Sequence, residues 1–278
     1  MNLRAPAKLN LNLFLGPERE DGKHELCSLV VPLSLADRLR VVEAEADEVV
    51  CEGVDGPNLA AAALAELRER GWRRPPLRVE IEKRIPLAAG LGGGSADAAA
   101  LLRLARGEVD NLDLLAAGLG ADVPSQIHPT LALLRGAGER VEELPCPGEF
   151  AVLLIADPEG LSTADVFAEA DRLGIGRSPE ELESLAAQVH TAVGSGASPL
   201  DYRELLHNDL ERAALSLRPQ IREALDALVE AGAALAQLTG SGPTAYGLFS
   251  DIAAADRAAA SLPPRWARAI VSAPESFL

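Results

Sequence analysis

The segment AKLNLNLFL, residues 7–15, alternates between apolar and polar positions with a period of two. Leucine occupies every second position from 9 to 15, and the opposite face carries Lys8, Asn10, Asn12 and Phe14. This alternation predicts a β-strand with one buried face. Its polar face fits either of two interpretations, a solvated sheet surface or the wall of a cleft.

The rest of the first half alternates between predicted strands and helices. Residues 38–51 have the pattern of a β-hairpin, and residues 58–71 that of a helix capped by Asn58 and ended by Gly71. The segment LRVEIEKRIP, residues 77–86, alternates like a strand and leads directly into a glycine-rich loop. Apolar residues then follow at 98, 101, 102 and 105, the spacing of a helix face, so a helix is expected to begin at about Ser95.

A second domain is predicted after residue 147. A glycine-rich hairpin signal at LRGAGER precedes the pattern-breaking CPGE, and the buried strand FAVLLIA follows. We therefore expect domains at residues 1–147 and 148–278. Residues 219–231 have helical periodicity, and LTGSGPTAYGLF, residues 238–249, predicts a second glycine loop that leads from the helix into a strand.

The amino-acid composition limits the classes of molecule that the chain is expected to bind. The 278 residues include 42 acidic and 26 basic side chains, a formal charge of −16, which disfavours binding to nucleic acid or an anionic membrane surface. No apolar run is long enough to span a bilayer, so a cytoplasmic protein with a small-molecule substrate is expected. The three cysteines are scattered, which predicts reduced and mostly buried thiols.

The loop PLAAGLGGGSADAA has the character of a phosphate-binding turn. Gly90, Gly92, Gly93 and Gly94 can adopt conformations that bring backbone N–H groups close to an anion, and the following helix directs its free N–H groups to the same place. The pattern is neither GxxxxGK[ST] nor GxGxxG. A turn without a ligand is the structural alternative.

Together with its flanking motifs, this loop resembles the ATP-phosphate loop of the GHMP kinases, the family of galactokinase, homoserine kinase and mevalonate kinase. The segments APAKLNLNLFL, DGKHEL, GADVPSQI, LSTADVF, HNDLE and LTGSGPTAYGLF resemble, in order, one branch that phosphorylates a cytidine-diphosphate-linked alcohol of the non-mevalonate isoprenoid pathway. The resemblance implies a two-domain α+β fold, with a ribosomal-S5-like N-terminal domain and a ferredoxin-like C-terminal domain.

The resemblance also implies roles for individual residues. Lys8 and Asp122 match the catalytic lysine and aspartate of the family, although Asp122 is equally well placed to cap a helix. Asn58 and Lys83 match positions near the adenine, with a helix N-cap and an exposed strand residue as their structural alternatives. The residues that match the ATP-phosphate loop are Pro86, Leu87, Ala88, Ala89, Gly90, Leu91, Gly92, Gly93, Gly94, Ser95 and Ala96. Ser95 is expected to contact a phosphate or Mg²⁺, an ion implied by the chemistry.

The alcohol substrate is expected to lie between the two glycine loops. His24 and Phe167 match a hydrogen-bonding partner and a stacking wall for cytosine, but Lys23 replaces the tyrosine that forms the other wall. The remaining expected substrate contacts are Asn10, Thr163, Gly240, Ser241 and Gly242. A tight turn is the alternative for the second loop. Two other functions stay open at this point: a GHMP kinase for another alcohol, and a non-catalytic RNA-binding protein with the S5-like fold.

Overall fold

Two β-sheets with packed helices make up the chain, in a computed structural model that describes residues 1–54, 56–157, 159–194, 196–266 and 270–274. The strands are β1 Asn2–Asn10, β2 Phe14–Glu18, β3 His24–Glu43, β4 Glu48–Val50, β5 Leu77–Glu82, β6 Ala132–Gly136, β7 Arg140–Glu143, β8 Ala151–Ile155, β9 Leu235–Leu238, β10 Ala245–Phe249 and β11 Ile270–Ser272. The helices are α1 Leu59–Glu69, α2 Gly93–Leu104, α3 Leu112–Leu119, α4 Val123–Ile127, α5 Thr163–Arg172, α6 Pro179–Val193, α7 Glu211–Leu217, α8 Ile221–Glu230 and α9 Ile252–Ser261.

The long strand β3 organises the first sheet. Its order is β4-β5-β3-β6-β7, and both β1 and β2 pair with β3. β1 runs antiparallel to β3, with Lys8 opposite Pro32 and Asn10 opposite Val30, after a register shift between Pro6 and Lys8. Such a shift bends a strand and redirects its side chains. It lies directly before the two polar residues that face the cleft.

The predicted hairpin at residues 38–51 is wrong in its pairing. β3 and β4 do form within this segment, but β5 lies between them. β5 pairs antiparallel with β3 and parallel with β4. The local alternation was correct, whereas the partner strand came from residues 77–82 and could not be identified from the segment itself.

The predicted strand at residues 7–15 is divided between β1 and β2, and its polar face is buried. Asn12 interrupts the strand because its side-chain Oδ1 accepts the N–H of Leu29 at 2.7 Å. The next residue, Leu13, donates its N–H to the carbonyl of His207 instead. Lys8 is 7% exposed and Asn10 is 5% exposed, so the solvated interpretation of this face is wrong.

The second sheet has the order β11-β8-β10-β9 with antiparallel neighbours, the ferredoxin-like arrangement that was expected. Every residue of β8 and β10 is buried. One apolar cluster joins the sheets, with Leu9 and Leu29 from the first and Val152 and Tyr246 from the second. Within the described residues, no helix is long and apolar enough to cross a membrane.

Candidate active site

The first glycine loop lies directly against β1 and against the second glycine loop. Gly90 and Gly92 have φ values of 72° and 68°. A Cβ atom on Gly92 would lie 2.8 Å from Cγ of Lys8, and one on Gly90 would lie 2.7 Å from the carbonyl oxygen of Gly242. The glycines are therefore required by close approach as well as by backbone conformation. A simple surface turn without such packing would not require glycine at these two positions.

Helix α2 begins at Gly93, two residues earlier than expected. Its first bonded N–H is that of Ala96, which donates to the carbonyl of Gly92 at 2.8 Å. For the N–H groups of Gly93, Gly94 and Ser95, no acceptor lies within the described ranges of the chain. Free N–H groups at the start of a twelve-residue helix form an anion-binding position.

Lys8 and Asp122 meet in front of this loop. The Lys8 Nζ lies 3.5 Å from Asp122 Oδ2, and the side chain of Asp122 is 38% exposed. Asp122 stands at the N-cap position of α4, but its side chain makes no capping hydrogen bond. The helix-cap alternative is therefore wrong for its side chain, which instead faces the lysine and the cleft.

A buried hydrogen-bond chain orients Lys8. Its Nζ donates to Asn10 Oδ1 at 2.5 Å, and Asn10 Nδ2 donates to Ser28 Oγ at 2.8 Å. Ser28 in turn donates to the carbonyl of Asn12 at 2.6 Å. Because the hydroxyl proton is used on that carbonyl, Ser28 can only accept from Asn10, and the amide oxygen of Asn10 must face Lys8. Thr239 Oγ1 accepts the backbone N–H of Asn10 at 2.9 Å, which ties this chain to the second loop.

Lys83 lies beneath the start of α2 in an acidic cluster. Its Nζ is bonded to Asp37 and lies 2.8 Å from Asp97 Oδ2, with 14% of the side chain exposed. The exposed-strand alternative for Lys83 is therefore wrong. Burial raises the pKa of Asp97 above its ordinary value, although Lys83 acts in the opposite direction. Burial lowers the pKa of Lys83, but the two carboxylates outweigh it and the net direction is upward.

Asn58 caps α1, as its structural alternative predicted. Its Oδ1 accepts the N–H of Ala60 at 2.8 Å, and Gly71 follows the helix with a φ of 85°. Asn58 and Lys83 thus both have structural partners. Neither side chain lines the cleft that holds Lys8 and Asp122.

The opposite end of the cleft holds an imidazole and an aromatic ring. The rings of His24 and Phe167 are 5.4 Å apart between centroids and inclined at 46°. His24 is buried at the start of β3, and its Nε2 lies 2.8 Å from Asp171 Oδ1. Lys23 is exposed at the rim, where its backbone N–H donates to Asp21 Oδ1.

The second glycine loop connects β9 to β10, so it joins two strands and does not follow a helix as expected. Asn208 holds it through Nδ2, which donates to the carbonyls of Leu238 at 2.9 Å and Gly240 at 2.7 Å. Thr163 Oγ1 and Ser241 Oγ are 2.9 Å apart. A Cβ atom on Gly240 would lie 3.0 Å from Asn10 Oδ1. The loop therefore closes over the same residues that orient Lys8.

These elements enclose one cleft of about 650 Å³. The expected site residues that line it are Lys8, Asn10, Lys23, His24, Gly90, Gly92, Ser95, Asp122, Thr163, Phe167, Gly240 and Ser241. Those that do not line it are Asn58, Lys83, Pro86, Leu87, Ala88, Ala89, Leu91, Gly93, Gly94, Ala96 and Gly242. The structure thus brings together one glycine-rich loop, one lysine–aspartate pair and one imidazole–aromatic pair.

Comparison with known proteins shows which family has this arrangement. The family model described as GHMP kinases N terminal domain matches residues 58–127, and the one described as GHMP kinases C terminal matches residues 180–268. A relative from Rhodococcus jostii (strain RHA1), named 4-diphosphocytidyl-2-C-methyl-D-erythritol kinase, is 40% identical over 276 residues, covering 94% of this chain and 87% of the relative. The chain belongs to the GHMP kinase family.

Two further matches agree with this assignment to the GHMP kinases. A protein of the same name from Mycolicibacterium gilvum (strain PYR-GCK) is 42% identical over 271 residues, covering 92% of this chain and 84% of its own length. The crystal structure of a 4-(cytidine 5'-diphospho)-2C-methyl-D-erythritol kinase matches with a TM-score of 0.79 and 33% identity, covering 99% of this chain and all of the other.

Sequence reasoning missed several residues of this GHMP kinase site. Ser28, Asp171, Asp97 and Asn208 act through partners that are distant along the chain. Their sequence signals are weak, since each is a single polar residue within an apolar pattern. Asn208 and Asp97 are the exceptions, because Asn208 lies in the motif HNDLE and Asp97 in the motif PLAAGLGGGSADAA.

Three of the four histidines and all three cysteines lie outside this GHMP kinase cleft. The side chains of His128, His190 and His207 are 49%, 54% and 63% exposed. Cys27 is buried, and burial raises the pKa of its thiol to about 11. Cys51 is half-buried and Cys146 is exposed, so the expectation of mostly buried thiols is wrong.

Proposed function

We propose that this GHMP kinase transfers the γ-phosphoryl group of ATP to the 2-hydroxyl of 4-diphosphocytidyl-2-C-methyl-D-erythritol. The observation that carries the proposal is the shared cleft. The Lys8–Asp122 pair lies in the same cavity as the glycine loop and as the His24–Phe167 pair. Relatives that bear the name of this kinase match more than nine-tenths of the chain.

The triphosphate is assigned to the glycine loop. The free N–H groups of Gly93, Gly94 and Ser95 and the positive end of α2 supply the local positive potential that the acidic chain otherwise lacks. Phosphoryl transfer depends mostly on positioning and on stabilising charge around the moving group. A rigid loop packed on β1 meets both requirements.

Asp122 is the proposed acceptor of the hydroxyl proton. Its carboxylate is partly exposed to the cleft and is free of capping bonds, so an oxygen is available to the alcohol. Lys8 holds that carboxylate in place and presents a positive charge to the phosphoryl group that leaves ATP. The buried amide of Asn10 fixes the lysine, so the charge needs no reorientation during the reaction.

Magnesium is proposed as the accompanying ion. No group of three or more His, Cys, Asp or Glu among the described residues could hold a metal on its own. The hydroxyl of Ser95 fits Mg²⁺, which prefers oxygen ligands and is bound in nucleotide enzymes largely through phosphate oxygens and water. Ser95 would hold the ion through its hydroxyl, which lines the cleft. When bound, the ion offsets the negative charge of the phosphates.

The cytidine is assigned to His24 and Phe167. The ring of Phe167 supplies a stacking face, and base stacking on an aromatic side chain contributes about 1–3 kcal/mol in nucleic-acid complexes. Lys23 is exposed at the rim, where its aliphatic stem could cover the other face of the base. Thr163, Ser241 and the glycines of the second loop are proposed to contact the alcohol and its diphosphate.

Three further assignments remain proposals. We keep Asn58 and Lys83 on the adenine side, since α1 and the strand end at Lys83 both adjoin the start of α2. We keep the domain boundary between residues 147 and 148, in the connection between β7 and β8. The cytoplasm is proposed as the location, because ATP and the other small-molecule reactants are available there.

The experiment that tests this function is an ADP-release assay with a panel of alcohols. The purified chain is supplied with ATP, Mg²⁺ and one of four acceptors: the diphosphocytidyl alcohol, homoserine, mevalonate or galactose. We expect rapid release with the first alone. Preference for another acceptor would indicate a GHMP kinase of different specificity, and salt-dependent RNA affinity without turnover would favour the RNA-binding alternative.

A further inference from the structure

A carboxylate that the proposed function leaves unused is bonded to the imidazole at the nucleobase end of the cleft. Asp171 Oδ1 lies 2.8 Å from His24 Nε2. Asp171 and Phe167 are four residues apart on α5, so one helix face presents both the carboxylate and the ring to His24. All three side chains line the same cavity.

The pairing fixes which imidazole nitrogen carries the proton. An ionised carboxylate only accepts hydrogen bonds, so Nε2 of His24 must donate, and in the neutral ring Nδ1 is then a lone-pair acceptor. Among the residues that the structure describes, no donor is bonded to Nδ1. The side chain of Asp171 is 51% exposed, whereas that of His24 is 8% exposed. This hydrogen bond therefore orients the buried imidazole and leaves Nδ1 free to accept.

We propose that Asp171 is a positioning residue that makes this site select a 4-amino over a 4-oxo pyrimidine. The inference rests on the proposed function, which brings a cytidine to His24. Cytosine carries an amino donor at position 4, and uracil carries a carbonyl acceptor there. Nδ1, as an acceptor, can accept a hydrogen bond from the amino group of cytosine. It repels the carbonyl of uracil, because two acceptors then face each other. Without the carboxylate, the imidazole can reverse its tautomer and donate from Nδ1, so a uracil is accepted.

Binding of cytidine 5'-diphosphate and uridine 5'-diphosphate by calorimetry tests this proposal without requiring turnover. We expect the wild-type chain to bind the cytidine compound at least about 10-fold more tightly, the scale set by leaving one buried polar pair unmade. Asp171→Asn should bring the two dissociation constants to within a few-fold of each other, since its amide can serve either tautomer. Because both compounds carry the same diphosphate, the ratio of their dissociation constants cancels the general effect of removing a negative charge nearby.

Matched variants separate positioning from a structural role. Asp171→Glu should retain the preference, and so should Asp165→Asn, which removes an exposed carboxylate from the same helix. In a His24→Ala background, Asp171→Asn should leave the ratio unchanged, because the effect acts through the imidazole. An unchanged ratio in Asp171→Asn alone, or a wild-type chain that binds both compounds equally, would overturn the inference. If the wild-type chain binds neither compound, the result contradicts both the proposed function and this inference.

Discussion

The Lys8 ammonium lies 3.5 Å from the Asp122 carboxylate, although one residue belongs to the first strand and the other precedes the short helix α4. This ion pair borders the glycine loop, whose Gly92 leaves room for the lysine stem and no more. The proposed proton acceptor, the lysine charge and the proposed phosphate position therefore converge at one point. The chemistry of the site depends on this convergence.

Asp122→Asn should lower kcat by about 10²- to 10⁴-fold, the range for loss of a general base. The melting temperature should change little, because the side chain does not cap α4. Steady-state kinetics and thermal unfolding measure the two effects. Asp113→Asn, at an exposed position in α3, is the matched control. Near-normal turnover in Asp122→Asn would remove this residue from the mechanism.

Lys8→Met should lower kcat by about 10²- to 10³-fold, on the scale of losing one preorganised stabilising group. Methionine keeps most of the buried stem that packs on Gly92, so the loop should retain its shape. The KM for ATP should therefore rise much less than kcat falls. The opposite pattern, normal kcat with a large increase in KM, would indicate that Lys8 serves ATP binding alone.

Gly92→Ala should weaken ATP use far more than Gly94→Ala. At position 92 a Cβ would lie 2.8 Å from Lys8 Cγ at a φ of 68°, whereas at position 94 the nearest neighbour would be 3.8 Å away. A non-glycine residue in a sparsely populated backbone conformation costs about 1–3 kcal/mol. We expect a loss of about 5-fold or more in kcat/KM for ATP from the first variant, as 1.4 kcal/mol corresponds to a factor of ten. Equal effects of the two substitutions would contradict the proposed packing.

Ser28→Ala should lower kcat with little change in either KM. The hydroxyl fixes the Asn10 amide that holds Lys8, and its loss leaves Asn10 Nδ2 without a bonded partner. An unsatisfied buried donor costs about 1–3 kcal/mol, so the melting temperature should also fall. Ser28→Thr retains a hydroxyl and should recover activity. If Ser28→Thr and Ser28→Ala have the same kcat, the positioning role of the hydroxyl is excluded.

Local sequence patterns predicted the individual strands and helices of this fold better than they predicted which strands pair. Alternation located β1 and β5, helical spacing located α2 and α8, and the glycine pattern located the loop that precedes α2. The hairpin at residues 38–51 failed because β5 is inserted between its two strands. Strand pairing depends on residues far along the chain, which a local pattern cannot contain.

Cleft residues were identified from the sequence where they lie in a recognisable motif. They were missed where only a contact in the folded chain reveals them. Lys8, Asp122 and His24 lie in recognisable segments, and the fold brings them to one cleft. Asp171 lies four residues after the end of the motif LSTADVF, and only the packing of α5 against His24 reveals it. Ser28 is likewise an ordinary strand residue until its hydrogen bonds are known.

The most direct test of the central claim is phosphorus NMR of the product formed from ATP and 4-diphosphocytidyl-2-C-methyl-D-erythritol. We predict a new phosphomonoester on the 2-hydroxyl that appears in step with ADP for the wild-type chain, and that is nearly absent for Asp122→Asn. ATP turnover without this phosphomonoester, or a phosphate on another alcohol of the panel in preference to this one, would contradict the account.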